Sequence, residues 1–457
     1  MSEPMIMRSG YLRAIVLVLL VCAGPGCARE PQVIISDGDK VAFLGDSITA
    51  GGANYGGYCR LVVHGLKAKG IIVEPVFAGV PGNTSEHTLE RLEQSVLRHK
   101  PDWVVLAAGV NDIWHGDPTV KIGVFQPKPG MGVKLDGYEK NVSAIVDRCK
   151  DAGAKVILTT ITPIREDPQF KLNITAGKYN AFLVQLAKER KLPIAKLNEA
   201  MFAEIAAGTR MTSDGVHPLG IGHRVMAKGV LRAMGLSQED TEKIENEWEG
   251  APKVLILGDK QSTAGARTGG WCHMLMDGLN SGREMVTYGM FARYNKEMTV
   301  GDLLGGFRKG AKSKPRYVIL QAPRGDAVLA TPLGKYRQQV EELIDVAGKS
   351  NVRPVLVTIA VQGNDPVGKL SRKLEPYNDV LRDIARAKSV PLADINQAMA
   401  KQYAADPAAG LTYDGERFGH QGAILMAETL MRAMGLDSLL TSKLRKVWIE
   451  RPSYIRK

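Results

Sequence analysis

The sequence predicts two consecutive α/β domains, each built on a parallel β-sheet. In each half of the chain, short apolar runs rich in β-formers alternate with longer amphipathic stretches. The runs have the composition of strands that are buried on both faces, which is typical of parallel sheets covered by helices. The pattern then recurs after about 200 residues, a period too long for a solenoid and suited to tandem domains.

The order of these segments defines the expected sheet. The runs assigned to strands in the first half are 41–44, 103–107, 156–160 and 193–196. The stretches assigned to helices are 86–98, 138–151 and 176–190. Strand–helix alternation of this kind predicts a doubly wound sheet. Ligands of such sheets bind beyond the carboxyl ends of the strands, so functional residues are expected there.

Matching segments define the internal repeat. The pairs are 41–47 (VAFLGDS) with 254–260 (VLILGDK), 103–112 (WVVLAAGVND) with 317–326 (YVILQAPRGD), 156–161 (VILTTI) with 355–360 (VLVTIA), 179–201 with 377–399, and 211–218 (MTSDGVHP) with 411–418 (LTYDGERF). The Glu-rich stretch 237–252 separates the two copies. We therefore predict domains at 38–250 and 251–457.

Composition excludes several classes of protein. The 457 residues carry a net charge of +12, but the basic residues are scattered and no recognition motif accompanies them, so nucleic acid is not an expected partner. Three cysteines lie outside the N-terminal region, at positions 59, 149 and 272. Their wide spacing suits neither a disulfide framework nor a metal site, and we expect buried free thiols.

Residues 1–28 have the composition of an export signal. Arg8 and Arg13 precede a short apolar run, and small residues follow it. The run is short for a membrane span, with a transmembrane anchor as the alternative. Cys27 resembles a bacterial lipid-attachment cysteine, although Gly24 stands where such motifs usually carry Leu; cleavage without lipidation is equally open. We expect export to the periplasm or cell envelope, with any membrane tether confined to the N-terminus.

Four short motifs follow strand ends in the first half. Ser47 opens a helix, where free backbone N–H groups favour negative charge. Asp214 and His217 are three residues apart, so the carboxylate can fix the imidazole tautomer and leave the other nitrogen to deprotonate a serine. The Asn111 amide can donate to an oxyanion, and Gly82 lets a backbone N–H approach a reacting group. Taken singly, these motifs are weak evidence, because a helix cap, a surface pair or a turn is the commoner role of such residues.

In this order and combination, the four motifs resemble those of the SGNH (GDSL) hydrolase superfamily over about residues 40–236. The resemblance implies a three-layer α/β/α sandwich of the flavodoxin type. It implies ester hydrolysis without a metal or other cofactor. It also implies that Ser47 is the nucleophile, that His217 is the general base, and that Asp214 orients the imidazole.

The resemblance further implies an oxyanion hole made by the N–H groups of Ser47 and Gly82 and by the Asn111 amide. Ala78 departs from the family pattern, in which Asn often begins the glycine block, and this change affects loop support rather than the donors. Three residues beside the motifs are candidate substrate-pocket residues: Asp46, Trp114 and His115. An ordinary packing role is the alternative for the tryptophan.

The second half provides an internal comparison. The residues that stand there in place of the nucleophile, the two further oxyanion donors and the base are Lys260, Ala292, Gly325 and Arg417. The strand and helix patterns of the first half persist in the second, whereas the residues expected to carry out the reaction are all replaced. We therefore predict that 251–457 is a degenerate, non-catalytic copy, with a different reaction through Lys260 as the alternative.

The predicted function is that of an exported serine esterase. Exported two-domain members of the superfamily with a long loop after Asn-Asp resemble carbohydrate O-deacetylases, which suggests a short acyl (acetyl) ester on a carbohydrate. The partner is then a small-molecule or polysaccharide ester. The alternatives are a lipid esterase or thioesterase of the same superfamily, a peptidase, and a non-catalytic cell-surface binding protein.

Overall fold

The computed structural model describes residues 32–123, 125–250, 253–265, 270–280, 287–291, 297–310 and 315–450. The export signal predicted at 1–28, with Cys27, and the predicted counterpart of Gly82, Ala292, lie outside these ranges. Within them, no helix combines the length and the apolar character that crossing a bilayer requires.

The first unit is built on a five-stranded parallel sheet with the order β2-β1-β3-β4-β5. Its strands are β1 (Lys40–Gly45), β2 (Glu74–Gly79), β3 (Trp103–Ala107), β4 (Lys155–Thr159) and β5 (Ile194–Ala195). Its helices are α1 (Ser47–Gly52), α2 (Tyr58–Ala68), α3 (Ser85–Glu90), α4 (Leu92–Ser95), α5 (Val110–Trp114), α6 (Leu135–Asp151), α7 (Lys171–Arg190), α8 (Leu197–Ala206), α9 (Gly220–Ala233) and α10 (Gln238–Gly250).

The second unit repeats this strand order as β7-β6-β8-β9-β10. Its strands are β6 (Lys253–Leu257), β7 (Thr287–Phe291), β8 (Tyr317–Gln321), β9 (Arg353–Val357) and β10 (Leu392–Ala393). Its helices are α11 (Lys260–Gly265), α12 (Trp271–Asn280), α13 (Val300–Gly310), α14 (Gly325–Val328), α15 (Leu333–Lys349), α16 (Lys369–Lys388), α17 (Ile395–Ala405), α18 (His420–Ala433) and α19 (Ser442–Glu450).

Both sheets are covered on their two faces, as the continuous apolar runs predict. In β6, Val254 and Ile256 belong to one buried cluster with helices α12, α17 and α18, whereas Leu255 and Leu257 belong to another with α13, α15 and α16. Alternate side chains of a strand point to opposite faces, so two clusters mean two helical layers. The predicted fold class, two α/β/α sandwiches with parallel sheets, is confirmed.

Two local predictions differ from the structure. The stretch 86–98 is not one helix but α3, α4 and a 3₁₀ turn at Leu97–His99. The first break falls at Arg91, whose side chain reaches inward to strand-end carbonyls. Strand β2 was absent from the expected runs because it is a partly exposed edge strand that contains Pro75, and proline is tolerated in a sheet mainly at its edge.

Strand register corrects two of the repeat pairings. Leu158 pairs with Ile194, and Leu356 pairs with Leu392 at the same place in the second sheet. Leu158 therefore corresponds to Leu356. The predicted pairing of 156–161 with 355–360 matches position 158 with 357 and is wrong by one residue.

The second correction concerns the glycine block. Leu44 pairs with Ala78, and Leu257 pairs with Phe291 at the same place in the second sheet. The residue that follows Phe291 in the chain, Ala292, therefore corresponds to Gly79 rather than to Gly82.

The Glu-rich stretch at the predicted boundary is helix α10 of the first unit rather than an open linker. Its Ile244 and Trp248 are buried in the first core, and the Trp248 indole N–H donates to His64 Nδ1 over 3.2 Å. The second sheet begins three residues after this helix, at Lys253. The three described cysteines are free and buried, as predicted.

Candidate active site

The structure brings together the serine, the histidine and the aspartate that the motifs single out. Ser47 is the first residue of α1, directly beyond the carboxyl end of β1. His217 lies 170 positions later, in the loop between α8 and α9, and its Nε2 is 2.9 Å from Ser47 Oγ. Its Nδ1 is 2.7 Å from Asp214 Oδ2.

The Asp214 carboxylate is well placed to fix the imidazole. Its Oδ1 accepts the backbone N–H groups of Val216 and His217, at 3.0 and 2.9 Å. Partial burial alone would raise the pKa of the Asp214 carboxyl, but these bonds and the imidazole contact outweigh it and lower that pKa overall. An ionised carboxylate can accept hydrogen bonds but cannot donate them, so Nδ1 of His217 carries the ring proton. The other ring nitrogen, Nε2, can then accept the proton of the Ser47 hydroxyl.

The loop that carries the histidine is held by a residue that sequence reasoning missed. Glu166 Oε1 accepts the backbone N–H groups of Met211 and Thr212, at 2.9 and 2.6 Å, and the Thr212 hydroxyl, at 2.7 Å. These bonds tie the start of the His217 loop to the loop after β4. No motif marked Glu166, because a single glutamate in a loop carries no pattern.

Sheet order places the predicted oxyanion donors beside Ser47. Gly45 pairs with Gly79 on one side and with Ala107 on the other, so the loops after β1, β2 and β3 begin side by side. Gly82, in the loop after β2, has φ +80°, a left-handed conformation that favours glycine. Asn111, on the first turn of α5, is buried, and its Nδ2 donates to Asn83 O over 2.9 Å. An amide nitrogen has two hydrogens, so one N–H remains for a ligand.

A second residue that sequence reasoning missed fixes the glycine block. Arg91 Nη2 donates to the carbonyls of Gly45 and Ala78, at 2.8 and 2.9 Å, and Nε donates to Asn83 Oδ1 over 2.5 Å. One guanidinium thus links the ends of β1 and β2 to the residue after Gly82. Its position on a helix that the sequence predicts to be regular gave no sign of this contact.

The candidate pocket residues are all buried. Asp46, Trp114 and His115 are 2%, 6% and 4% exposed. The Asp46 carboxylate caps α1 by accepting the Ile48 N–H over 2.9 Å. The Trp114 indole N–H donates to Val120 O over 3.0 Å. The rings of Trp114 and His115 both contact the ring of Phe125. Their role as pocket residues stays a prediction, and burial favours packing for the tryptophan.

The corresponding place in the second unit is filled by ion pairs. Lys260 opens α11 as Ser47 opens α1, and its ammonium pairs with Glu416. Arg324 pairs with Glu416 as well, and with Glu297 at 2.7 Å. Arg417 Nε lies 2.6 Å from Asp414 Oδ2, in the arrangement of His217 and Asp214. Each of these three cationic side chains is therefore paired with at least one carboxylate.

The acidic residues that both halves share have a structural role. Asp259, Asp326 and Asp414 accept backbone N–H groups at 2.9, 2.7 and 2.7 Å, which fixes the backbone of the segments that contact them. Their counterparts in the first unit, Asp46, Asp112 and Asp214, make the same kind of bond. The groups that hold the loops are therefore retained, and the groups capable of chemistry differ. Among the described residues, no cluster of His, Cys, Asp and Glu suits a metal ion.

An α/β/α sandwich with a Ser–His–Asp constellation at its carboxyl strand ends has the architecture of a hydrolase. Residues 43–225 match the model of the GDSL-like lipase/acylhydrolase family. An acetylxylan esterase of Geobacillus stearothermophilus is 30% identical over 217 residues, covering 44% of this chain and 96% of that protein. An arylesterase of Vibrio mimicus is 26% identical over 211 residues, covering 45% and 90%.

Solved structures of the Geobacillus stearothermophilus acetylxylan esterase share 30% identity with this chain, with a TM-score of 0.40, covering 45% of this chain and 97% of theirs. The chain belongs to the GDSL-like lipase/acylhydrolase family and is a carboxylic ester hydrolase.

Replacing Asn111 by alanine is expected to lower kcat by about 100- to 1,000-fold while KM changes little, because an oxyanion donor acts mainly in the transition state. The measurement is p-nitrophenyl acetate hydrolysis. Asn198→Ala is a matched control, since its amide also donates to a backbone carbonyl, Ile161 O, over 2.8 Å. An unchanged kcat for Asn111→Ala would exclude this side chain from the oxyanion hole.

The Asp46 carboxyl is expected to make stability depend on pH. Burial raises the pKa of this carboxyl to about 7, against about 3.9 in an unfolded chain. The folded protein therefore holds a proton that the unfolded chain has released, and this group lowers stability as the pH rises from about 4 to about 7.

Asp46→Asn keeps an oxygen that accepts the Ile48 N–H and removes the titration. We expect its Tm to exceed that of the wild type near pH 8, about one unit above the folded pKa, and the difference to vanish near pH 4. The exposed Asp151→Asn should follow the wild type. Parallel curves of Tm against pH for Asp46→Asn and the wild type would contradict the assignment.

Proposed function

We propose that the first unit hydrolyses esters by acyl transfer through Ser47. The observation that carries the proposal is the 2.9 Å contact between Ser47 Oγ and His217 Nε2, with Asp214 on the other ring nitrogen. In this arrangement the imidazole can take the hydroxyl proton as the oxygen attacks a carbonyl carbon. Asp214 then stabilises the imidazolium that forms.

The reaction continues in two balanced steps. The tetrahedral intermediate collapses to an acyl-Ser47 ester when protonated His217 gives its proton to the departing alcohol. Water then attacks the acyl carbon, His217 takes the water proton, and the acid leaves as Ser47 regains its hydrogen. The N–H groups of Ser47 and Gly82 and the Asn111 amide hold the oxyanion in both steps.

We propose a short acyl group on a carbohydrate as the substrate. The acetylxylan esterase among the relatives supports an acetyl ester of a sugar.

The substrate proposal is tested with p-nitrophenyl esters of increasing chain length and with acetylated xylan, using Ser47→Ala as the blank. We expect kcat/KM to be highest for the acetate and acetate to be released from the xylan. A preference for long-chain esters or for thioesters would replace this proposal with the lipid esterase or thioesterase alternative. If the wild type turns over no more substrate than Ser47→Ala does, the alternative of a non-catalytic binding protein replaces the esterase proposal.

We propose that the second unit, 251–457, is a degenerate copy without catalytic activity. Lys260 and Arg417 are paired with carboxylates at the places of the nucleophile and the base, so neither is a poised nucleophile or proton acceptor. The different reaction through Lys260 would require its amine to leave the ion pair with Glu416. A Ser47→Ala protein that retained turnover abolished by Lys260→Ala would contradict this assignment.

We also propose that residues 1–28 direct export to the periplasm or cell envelope. The support is the basic start, the short apolar run and the small residues after it. Intact mass of the protein from its natural host tests the proposal. Cleavage alone, or a lipid at Cys27 after cleavage, would each support export, and an intact N-terminus in the cytoplasm would contradict it.

A further inference from the structure

The two units meet at an arginine of the first. The Arg60 guanidinium, on α2, lies 4.1 Å from the centroid of the Tyr55 ring and 5.1 Å from that of Phe77. From the second unit, Asp277 of α12 places Oδ1 3.8 Å from Arg60 Nη1 and accepts a hydrogen bond from the Tyr55 hydroxyl. We call these four residues, with Ala53, the Arg60 junction.

The junction is bonded to the helix that begins with Ser47. Arg60 Nε donates to the carbonyl of Ala53 over 2.6 Å, and Ala53 is the C-cap residue that directly follows α1. The Ala53 N–H in turn donates to Thr49 O over 3.1 Å. Helix α1 has only six residues, too few to be stable by its own hydrogen bonds, so its position depends on such outside contacts.

Burial gives the junction more weight than a surface contact. The side chains of Arg60 and Asp277 are 20% and 9% exposed, so solvent screens their attraction less than it does for an exposed pair. The Tyr55 ring packs against the buried core of the second unit and meets the edge of His273 at 6.4 Å between centroids. The second unit thus fixes both the guanidinium and the ring stacked on it.

We propose that the second unit positions the nucleophile of the first through this junction. Asp277 holds Arg60 and Tyr55, and Arg60 holds the end of α1 whose other end presents Ser47. Asp277 and Arg60 are positioning residues, and the inference rests on the proposed ester hydrolysis. It gives the non-catalytic copy a role in the activity of the first unit.

The test is Asp277→Asn, which keeps the shape and a hydrogen-bond acceptor for Tyr55 but removes the charge that faces Arg60. The rate is measured per active site, titrated with a serine-reactive fluorophosphonate, so that unfolded protein is not counted. We expect kcat for p-nitrophenyl acetate to fall by about 10-fold, because small displacements of a reacting group are costly. KM should stay within about twofold, since substrate contacts are unchanged.

Companion variants separate positioning from stability. Tyr55→Phe removes only the hydroxyl and should lower kcat less, and Asp277→Glu, which restores the charge, should recover part of the rate. Glu342→Gln is the matched control, because it removes the carboxylate that pairs with Arg308 on the exposed surface of the second unit. Its kcat and Tm should equal those of the wild type.

An unchanged kcat per titrated site in both Asp277→Asn and Asp277→Ala would overturn the inference. A loss of rate explained entirely by fewer titratable sites would overturn it as well, since that result means a contribution to folding alone. A wild-type protein without Ser47-dependent turnover would instead remove the proposed function, and this inference with it.

Discussion

Replacing Ser47 by alanine is expected to lower kcat for ester hydrolysis by about 10⁶-fold, the cost typical of losing a serine nucleophile. The hydroxyl oxygen is the only atom removed, and it is the atom that would bond to the acyl carbon. The fold should be preserved, because α1 is capped by the Asp46 carboxylate and not by the serine. The measurement is p-nitrophenyl acetate turnover at saturating substrate, with Tm as the check on folding.

The internal repeat supplies a control for this variant. Lys260→Ala changes the residue that occupies the same place in the second unit, at the start of α11. Its hydrolysis rate should equal that of the wild type at temperatures where both are folded. A Ser47→Ala protein that keeps a tenth or more of the rate would show that another group carries out the reaction.

His217→Ala is the other change with a very large expected effect, a fall in kcat of about 10⁵- to 10⁶-fold. Without the imidazole, the Ser47 hydroxyl loses the base that lies 2.9 Å from its oxygen and takes its proton. Added imidazole should restore part of the rate, because the space left by the side chain is open to solvent on one side, where His217 is 40% exposed.

Arg417→Ala is the matched control for the histidine, since Arg417 bonds to Asp414 as His217 bonds to Asp214. We expect it to hydrolyse esters like the wild type. Rescue of His217→Ala by imidazole and no effect of Arg417→Ala would together assign the base to the first unit. A His217→Ala protein as active as the wild type would exclude the proposed mechanism.

The core of the site could be predicted because its parts are local. Ser47, Asn111 and the glycine block each follow a strand directly, and a parallel sheet brings the ends of neighbouring strands to one edge. Asp214 and His217 lie on one short loop, so their contact needs no knowledge of the fold. The predicted sheet was sufficient to bring these pieces together across 170 positions.

The supporting contacts could not be predicted, because each joins single polar residues that are far apart in the chain. Arg91 bonds to Gly45 across 46 positions, and Glu166 bonds to Thr212 across 46. Tyr55 and Asp277 are 222 positions apart and belong to different units. A lone charged residue on a helix or in a loop has no periodicity that distinguishes such a role from ordinary solvation.

The repeat matched the loops of the two units more reliably than it matched the register of their strands. Residue identity pairs Val156 with Val355, whereas the strand pairings place Leu158 and Leu356 at equivalent positions in the two sheets. In a parallel strand that is buried on both faces, apolar residues are interchangeable, so a one-residue shift leaves the pattern equally plausible. The loops gave clearer matches, because the aspartates there each bond to a defined backbone N–H.

Covalent labelling tests the central proposal most directly. Reacting the protein with a fluorophosphonate and mapping the adduct by peptide mass spectrometry identifies the residue that attacks. We predict one adduct per chain, on Ser47, formed far more slowly in His217→Ala and at the wild-type rate in Arg417→Ala. An adduct on another residue, or none in a protein that hydrolyses the acetate ester, would contradict the proposed mechanism.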